Sequence, residues 1–328
     1  MNSGPILDSN QTITAPPHRR TLGAVIFIGP QGLRAGWKFA IFVIAVLLLM
    51  RGLMPLAFRL VPPLPPDAQP QPTTALGMEL VEAIASLGIT VVMARFIDKR
   101  PFGYFGIPGN QAFRSKFWLG AVSGFGVLGL QLALMHIGGW FQFGPIVLHG
   151  SDILKYGLLW GCVFLCTGFF EESFLRGYPL RVLTNGMGFW PSAILLSLIF
   201  AAGHTSNIGE DWFGIFMVFI DGVVMAFSIW RTGNLWFAIG NHAAWDWAQT
   251  FFFGTPDSGL PASHALMASS SSGPPLLSGG TAGPEGSVLV LVSELLIVAL
   301  VAVLFPKRQY PMEEAVPAVT APAALPEH

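Results

Sequence analysis

The sequence predicts an all-α fold, a polytopic membrane bundle of about eight transmembrane helices, and three observations lead to this class. Only 11% of the 328 residues are charged, whereas an ordinary soluble protein carries about 25%. Apolar residues make up 52% of the chain, and the mean hydropathy is +0.60. Eight segments are long and apolar enough to approach the thickness of a bilayer. A soluble fold of this size could not cover its surface with so few charged side chains.

A bilayer core about 30 Å thick requires roughly 20 mostly apolar residues in a helix. Eight segments come near this length, and the fifth is shorter than the others. No long soluble insertion interrupts the series, and no fixed-period repeat is present. In chain order the predicted spans are Trp37–Leu56, Thr74–Phe96, Phe117–Trp140, Leu154–Tyr178, Phe189–His204, Trp212–Trp230, Leu235–Phe253 and Val288–Phe305.

The connections between these spans predict the orientation. Positive charges gather on the cytoplasmic side of membrane proteins, and fourteen of the 17 Lys and Arg residues fall on connections that share one side. Arg51, Arg59 and Lys155 are the exceptions. We therefore expect both termini in the cytoplasm, in a multi-pass protein of a bacterial inner membrane. The opposite connections contain no Lys or Arg, and they are 61–73, 141–152, 205–211 and 254–286.

Composition also excludes several classes of protein. The formal net charge of −1 provides no electrostatic surface for nucleic acid. Two cysteines, Cys162 and Cys166, are too few for a disulfide scaffold or a cysteine zinc site. The connection 61–73 is Pro-rich and should be extended, whereas Gly254–Gly286 is rich in Ser, Gly and Pro and should be a mobile surface segment. The tail after Tyr310 should be disordered.

Ionisable residues inside a span are costly and are candidates for a functional site. The fourth span carries Glu171 and Glu172, followed by Arg176. Adjacent residues point about 100° apart around a helix, whereas Glu172 and Arg176, at i and i+4, share a face and can pair. Glu171 then faces elsewhere and is suited to act as a general base on water. The alternative is an ion pair that only fixes the register of the helix, with Glu171 in a structural hydrogen bond.

Histidines occur on two further spans. The fifth span ends in His204, and the seventh contains His242, with Asp246 one turn later on the same face. Polar side chains from three helices are therefore expected to converge in one cavity. Small residues beside both histidines permit a close approach of the backbones, and they are Ala201, Ala202, Gly203, Ala243 and Ala244.

The motifs of other intramembrane proteases are missing from the chain. It has no His-Glu-x-x-His for a zinc helix, no Gly-x-Ser-Gly for a serine nucleophile and no Gly-x-Gly-Asp for an aspartyl pair. The remaining chemistry is a water activated by Glu and His. Other acids in the spans have no His nearby in sequence and should be interhelical hydrogen-bond partners or partly exposed, namely Glu79, Glu82, Asp221 and Glu294.

At these residues the sequence resembles the CAAX prenyl protease and bacteriocin-processing family, also called the Abi family of intramembrane proteases. The resemblance covers about residues 150–255 and implies an endopeptidase that cleaves a membrane-associated peptide or protein within the bilayer. Three motifs carry it, in order: Glu171-Glu172-x-x-x-Arg176, Phe200-x-x-x-His204 and His242-x-x-x-Asp246.

The resemblance also implies a role for each residue. Glu171 and His204 would activate the water, Arg176 would orient a glutamate, and His242 with Asp246 would stabilise the oxyanion. The eukaryotic-type prenyl proteases have Asn where Asp246 stands, and a carboxylate donates no hydrogen bond unless it is protonated. Asp246 could instead orient the His242 ring through its N–H or help to hold a metal, and the oxyanion role fits His242 better.

Metal dependence stays open in the sequence. Glu171, His204 and His242 could bind a divalent metal such as zinc, with Asp246 behind them or as a fourth ligand. A metal-free site would need only Glu171 and His204 within reach of one water.

Two other functions remain open. One is a catalytically idle relative that acts as a membrane adaptor or bacteriocin self-immunity factor. The other is a transporter that uses the acids as a proton relay, although a transporter would be expected to contain repeated halves.

The first and second motifs are predicted to lie at different depths in the bilayer. His204 lies about 22 Å from the cytoplasmic start of its span and Glu171 only about 7 Å from the same side. We therefore expect the turn Asn185–Trp190 to be sunk into the bilayer and buried in protein.

Overall fold

The computed structural model describes a mostly helical protein, which confirms the predicted all-α class. Two short antiparallel strand pairs accompany the helices, β1 (Ile28–Gly29) with β2 (Gly32–Leu33) and β3 (Phe141–Gln142) with β4 (Ser270–Ser271). Most of the connection 61–73 and nearly all of the tail after Tyr310 lie outside the described residues. The described residues are 26–29, 32–60, 71–207, 209, 211–261 and 263–311.

Each of the eight predicted spans coincides with a helix, and α5 is an additional one. Three helices continue into a wider π-helical turn: α2 through Met93–Asp98, α4 through Glu172–Gly177 and α8 through Ala248–Phe252. Single helical turns lie at Phe102–Phe105, Gly109–Gln111, Pro275–Ser278 and Pro284–Gly286. The longer helices are α1 (Ala35–Leu60), α2 (Pro72–Val92), α3 (Ser115–Ile137), α4 (Ser151–Glu171), α5 (Tyr178–Met187), α6 (Phe189–His204), α7 (Trp212–Thr232), α8 (Trp236–Trp247) and α9 (Val290–Leu304).

Length and composition identify the helices that can cross a membrane. Five helical stretches qualify, and α6 and α9 are shorter apolar helices. The chain is therefore an integral membrane protein, while the count of eight spans and the side of the termini stay predictions. The five stretches are Ala35–Arg59, Pro72–Asp98, Ser115–Ile137, Ser151–Met187 and Trp212–Thr232.

Glycines at the points of contact let α3 approach α8 closely, and α8 therefore lies in the core. A Cβ atom at Gly124 of α3 would lie 2.2 Å from the carbonyl oxygen of Asn241. A Cβ atom at Gly240 of α8 would lie 2.1 Å from the carbonyl oxygen of Phe117. Small residues permit this backbone contact between membrane helices. The contact sets the height and rotation of the turn that carries His242.

Helix α4 packs against another side of α8. A Cβ atom at Gly168 of α4 would lie 3.1 Å from the carbonyl oxygen of Ile239 and 3.5 Å from the Ala243 Cβ. Of the small residues predicted beside the histidines, Ala243 is therefore at this interface. The close packing brings the first and third motifs next to each other.

The chain does not leave the bundle after Arg176, and this removes the depth mismatch. It continues as the largely buried α5, turns at Gly188 with a φ of +86° and returns as α6. Arg176 stands twelve residues before Gly188 and Phe200 twelve residues after it. The segments 176–187 and 189–200 form the two arms of a helical hairpin on either side of Gly188. The Arg176 guanidinium carbon lies 4.9 Å from the centre of the Phe200 ring, so the two arms match in height.

Glu171 and His204 consequently lie at similar depth. Glu171 is 16 residues from the end of α5 at Met187, about 24 Å by helical rise. This agrees with the roughly 22 Å of His204 from the start of α6. The expectation of a turn buried in protein is wrong, because Asn185, Gly186 and Met187 are exposed. The helix that precedes the turn is buried instead.

Residues 254–261 and 263–289, which we call the cap, cover one end of the bundle. The side chain of Gln131 on α3 donates to the Pro284 carbonyl over 2.7 Å, and that of Gln249 donates to the Pro256 carbonyl over the same distance. These bonds satisfy cap backbone groups that a surface loop would leave to water. The expectation of a mobile surface segment is therefore corrected to a packed one. Its buried residues include Thr255, Ser263, Ser278, Ala282, Pro284, Gly286 and Ser287.

Candidate active site

The first motif folds around the π-helical turn that follows α4. Glu172 begins this turn, and its Oε1 lies 2.5 Å from Nη1 of Arg176. Both side chains are buried, with 0% of Glu172 and 3% of Arg176 exposed. The predicted ion pair is confirmed. π-helical turns often occur at functional sites, and this one joins α4 to α5.

His242 lies among three carboxylates. Its Nδ1 is 3.1 Å from Oε1 of Glu172, and its Nε2 is 3.4 Å from both Oε2 of Glu171 and Oδ2 of Asp246. The first and third motifs therefore meet, as the sequence predicts. Asp246 is one helical turn from His242 and contacts its ring.

The two adjacent glutamates have different environments. Glu172 is fully buried and shares one oxygen between Arg176 and His242. Glu171 keeps 22% of its side chain exposed, the largest fraction among the acids around His242. It is not isolated, however, because it contacts His242 and interacts electrostatically with Glu79 and Glu82 of α2. Glu171 is thus the glutamate to which water has access.

The second motif places a phenyl ring between its histidine and the first motif. The Phe200 ring lies edge-on to His204, with ring centres 4.6 Å apart, and it also contacts the Arg176 guanidinium. Nδ1 of His204 is 3.0 Å from the Phe200 carbonyl oxygen. A carbonyl only accepts hydrogen bonds, so Nδ1 carries the proton and Nε2 is the basic nitrogen.

The three predicted zinc ligands are not assembled into one site. Among the described residues, the group whose ligand atoms all lie within 4.8 Å of one another is Asp246, Asp257 and Glu285. Of the predicted set, Glu171 and His242 are in contact, whereas His204 makes its polar contact with its own helix. The arrangement does not fit a zinc ion held by all three, and a metal-dependent site and a metal-free site both stay predictions.

Comparison with known proteins agrees with this geometry. A family model described as type II CAAX prenyl endopeptidase Rce1-like matches residues 153–248. This segment is Rce1-like. It contains all three motifs and runs from the start of α4 to the end of α8, and the resemblance seen in the sequence is confirmed over this part of the chain. No curated protein and no solved structure gave a significant match.

Two acids beside the Rce1-like segment were missed by sequence reasoning. Asp257 and Glu285 lie in the cap, outside residues 153–248, and reach Asp246 inside that segment. The available signal was that they are the only charged residues between Gly254 and Gly286. Low complexity predicts a mobile surface segment here, whereas both acids fold back onto α8.

The cap carboxyls are electrostatically unusual. Burial, together with the charges of Asp246 and Glu285, raises the pKa of Asp257 well above its ordinary value. Burial also raises the pKa of Glu285, although hydrogen bonds from Ser258 and the nearby His204 oppose this shift. The common cause is the removal of several carboxylates from water without a matching number of cations.

Proposed function

We propose that the chain is an intramembrane endopeptidase that hydrolyses a peptide bond with a water activated by Glu171 and His204. The observation that carries the proposal is the difference between the two glutamates beside His242. Glu172 is neutralised by Arg176 in the interior, whereas Glu171 keeps a fifth of its side chain exposed. Glu172 is thus held in the ion pair, whereas Glu171 is accessible to water.

In the first step Glu171 takes a proton from the water as the water oxygen attacks the peptide carbonyl carbon. His204 presents the basic Nε2 to the same water, because its Nδ1–H is bound to the Phe200 carbonyl. A positioned base of this kind contributes about 10²–10⁴-fold to the rate. In the second step the C–N bond breaks, and Glu171 returns the proton to the leaving amine.

His242 stabilises the negative oxygen of the tetrahedral intermediate. Its Nδ1 is oriented by Glu172, which Arg176 holds in turn. Its Nε2 lies 3.4 Å from Glu171 and from Asp246. Contacts of this length are weaker than an ordinary hydrogen bond. The Nε2–H can therefore donate instead to an oxyanion that forms beside Glu171. Asp246 accepts from the ring and does not donate.

The substrate is a membrane-associated peptide or protein, and the match to a prenyl endopeptidase family supports a CAAX-type substrate. We further propose that the chain spans the bilayer eight times, with both termini in the cytoplasm of a bacterium. The distribution of Lys and Arg supports this orientation.

The test is cleavage of a peptide library in proteoliposomes by the wild type, Glu171→Gln and the control Asp152→Asn. Glu171→Gln should lower turnover by at least about 10²-fold, with normal insertion. Asp152→Asn changes an exposed acid in the first turn of the same helix α4, outside the three motifs, and should stay within a few-fold of the wild type. Unchanged turnover in Glu171→Gln would refute the assignment. A wild type that cleaves no peptide would favour the idle adaptor.

A further inference from the structure

An open concavity of about 460 Å³ lies at the end of the π-helical turn that continues α2. Because the stretch Pro72–Asp98 is long and apolar enough to cross a membrane, this end lies near the boundary between the apolar core and the headgroups. The residues that line the concavity are all exposed, and they are Arg95, Phe96, Lys99, Arg100 and Pro101. The concavity therefore combines three positive charges with apolar surface.

The backbone brings the basic side chains together. Lys99 ends the π-helical turn with a φ of +53°, in the left-handed region. The backbone N–H groups of Lys99 and Arg100 both donate to the Ala94 carbonyl, which satisfies an acceptor at the helix end. The chain therefore folds back on the last turn of the helix, and residues 99–101 line the same concavity as Arg95.

The positive charge of the concavity is not neutralised by neighbouring acids. Within the described part of the chain, Arg95 and Lys99 make no ion pair. The adjacent Asp98 is turned inward, with 12% of its side chain exposed and its Oδ1 2.5 Å from Nζ of Lys38. Residues 99–151 contain no Asp or Glu. An anion is thus the ligand that the charge of this surface favours.

The surface beside the concavity is apolar. Phe96 is 70% exposed and Ile97 43%, and Val91 and Val92 of the preceding turn are exposed by nearly half. On a helix that crosses a membrane, side chains of this kind face lipid tails, which are equally apolar. Phe96 belongs both to this lipid-facing surface and to the lining of the concavity. A ligand here meets positive charge and hydrocarbon side by side, which fits an amphipathic anion better than a soluble one.

We propose that the concavity binds the headgroup of an anionic phospholipid, with the phosphate on Arg95 and Lys99 and the acyl chains along Phe96. Basic residues at the end of a membrane helix attract anionic headgroups, and each contributes roughly fivefold to the affinity. A zwitterionic headgroup carries a cation of its own, for which the lining offers no acid. Arg100 contributes its charge at a fixed place, because its guanidinium carbon lies 5.1 Å from the centre of the Tyr104 ring. Lipid binding here is independent of proteolytic activity.

The test is native mass spectrometry of the purified full-length chain in detergent, titrated with dioleoyl phosphatidylglycerol or with zwitterionic dioleoyl phosphatidylcholine. The variants are Arg95→Gln, Lys99→Gln and the two combined, and Lys307→Gln is the matched control on an exposed basic residue outside the concavity. In the wild type and the control, the first phosphatidylglycerol should bind about tenfold or more tightly than the first phosphatidylcholine. The affinity for phosphatidylglycerol should fall roughly fivefold in each single variant and roughly 25-fold in the double variant.

Two soluble anions separate a lipid site from other occupants. Glycerol 3-phosphate, which has the phosphate without acyl chains, and polyglutamate should not displace phosphatidylglycerol at equal concentration. Displacement by the first would indicate a site for soluble phosphates, and displacement by the second a site for an acidic protein segment; either would overturn the proposal. Equal affinity of the folded wild type for the two lipids would overturn it as well. A loss in Lys307→Gln as large as that in the double variant would do the same.

Discussion

Substitution of Arg176 by Met should destabilise the folded protein far more than a surface change does. The guanidinium lies 2.5 Å from Glu172, and the two side chains are 3% and 0% exposed. Removal of one partner of a buried ion pair costs about 3–5 kcal/mol, because the other charge is left uncompensated. His242 still faces the same oxygen at 3.1 Å, which places the expected loss near the lower limit. The lost contact of Arg176 with the Phe200 ring, which is buried too, adds about 2 kcal/mol.

A double-mutant cycle separates the ion pair from the loss of volume. Glu172→Gln together with Arg176→Met removes both charges, and the coupling energy should be at least about 2 kcal/mol. Unfolding in mixed micelles measures the free energy of each variant, with Lys307→Met at an exposed position as control within about 0.5 kcal/mol of the wild type. A loss of stability in Arg176→Met as small as that in Lys307→Met would refute the reasoning. Strict additivity of Glu172→Gln and Arg176→Met would refute it as well.

Three further predictions concern zinc, topology and packing. His242→Gln should keep partial activity, since an amide can still donate a hydrogen bond to an oxyanion. Stoichiometric zinc that disappears in this variant would contradict the metal-free chemistry. A cysteine at exposed Ser270 should be labelled from outside intact cells, whereas one at exposed Ser115 should require permeabilisation, and the reverse pattern would contradict the orientation. Gly240→Ala should lower the free energy of unfolding by about 1–3 kcal/mol in the same micelle assay, because its Cβ would lie 2.1 Å from the Phe117 carbonyl oxygen. A Gly240→Ala variant as stable as the wild type would show that α3 and α8 can separate freely.

The helices and the contacts within the first and third motifs were predictable, because both depend on local patterns. Apolar runs define spans, and i,i+4 spacing predicts the contacts of Glu172 with Arg176 and of His242 with Asp246. The length of the fourth helical stretch was not predictable in the same way. Residues Tyr178–Thr184 include polar side chains and do not look like a membrane segment, yet they are buried by packing between other helices.

The cap was missed for a related reason. Ser, Gly and Pro predict a loop, but its contacts are made by distant side chains such as Gln131 and Gln249. Hydrogen bonds that link residues far apart in sequence leave no periodic pattern. The positions of Asp257 and Glu285 follow from those bonds, so their approach to Asp246 could not be derived from spacing alone.

The equal arms on either side of Gly188 restrict how the length of this protein can vary. Arg176 faces Phe200 because twelve residues separate each of them from the turn. One inserted residue in α5 alone would move Arg176 by about 1.5 Å along its axis and rotate it by about 100°, away from Phe200. Changes in length that preserve the site must therefore come in compensating pairs, one in each arm, or fall outside the hairpin altogether.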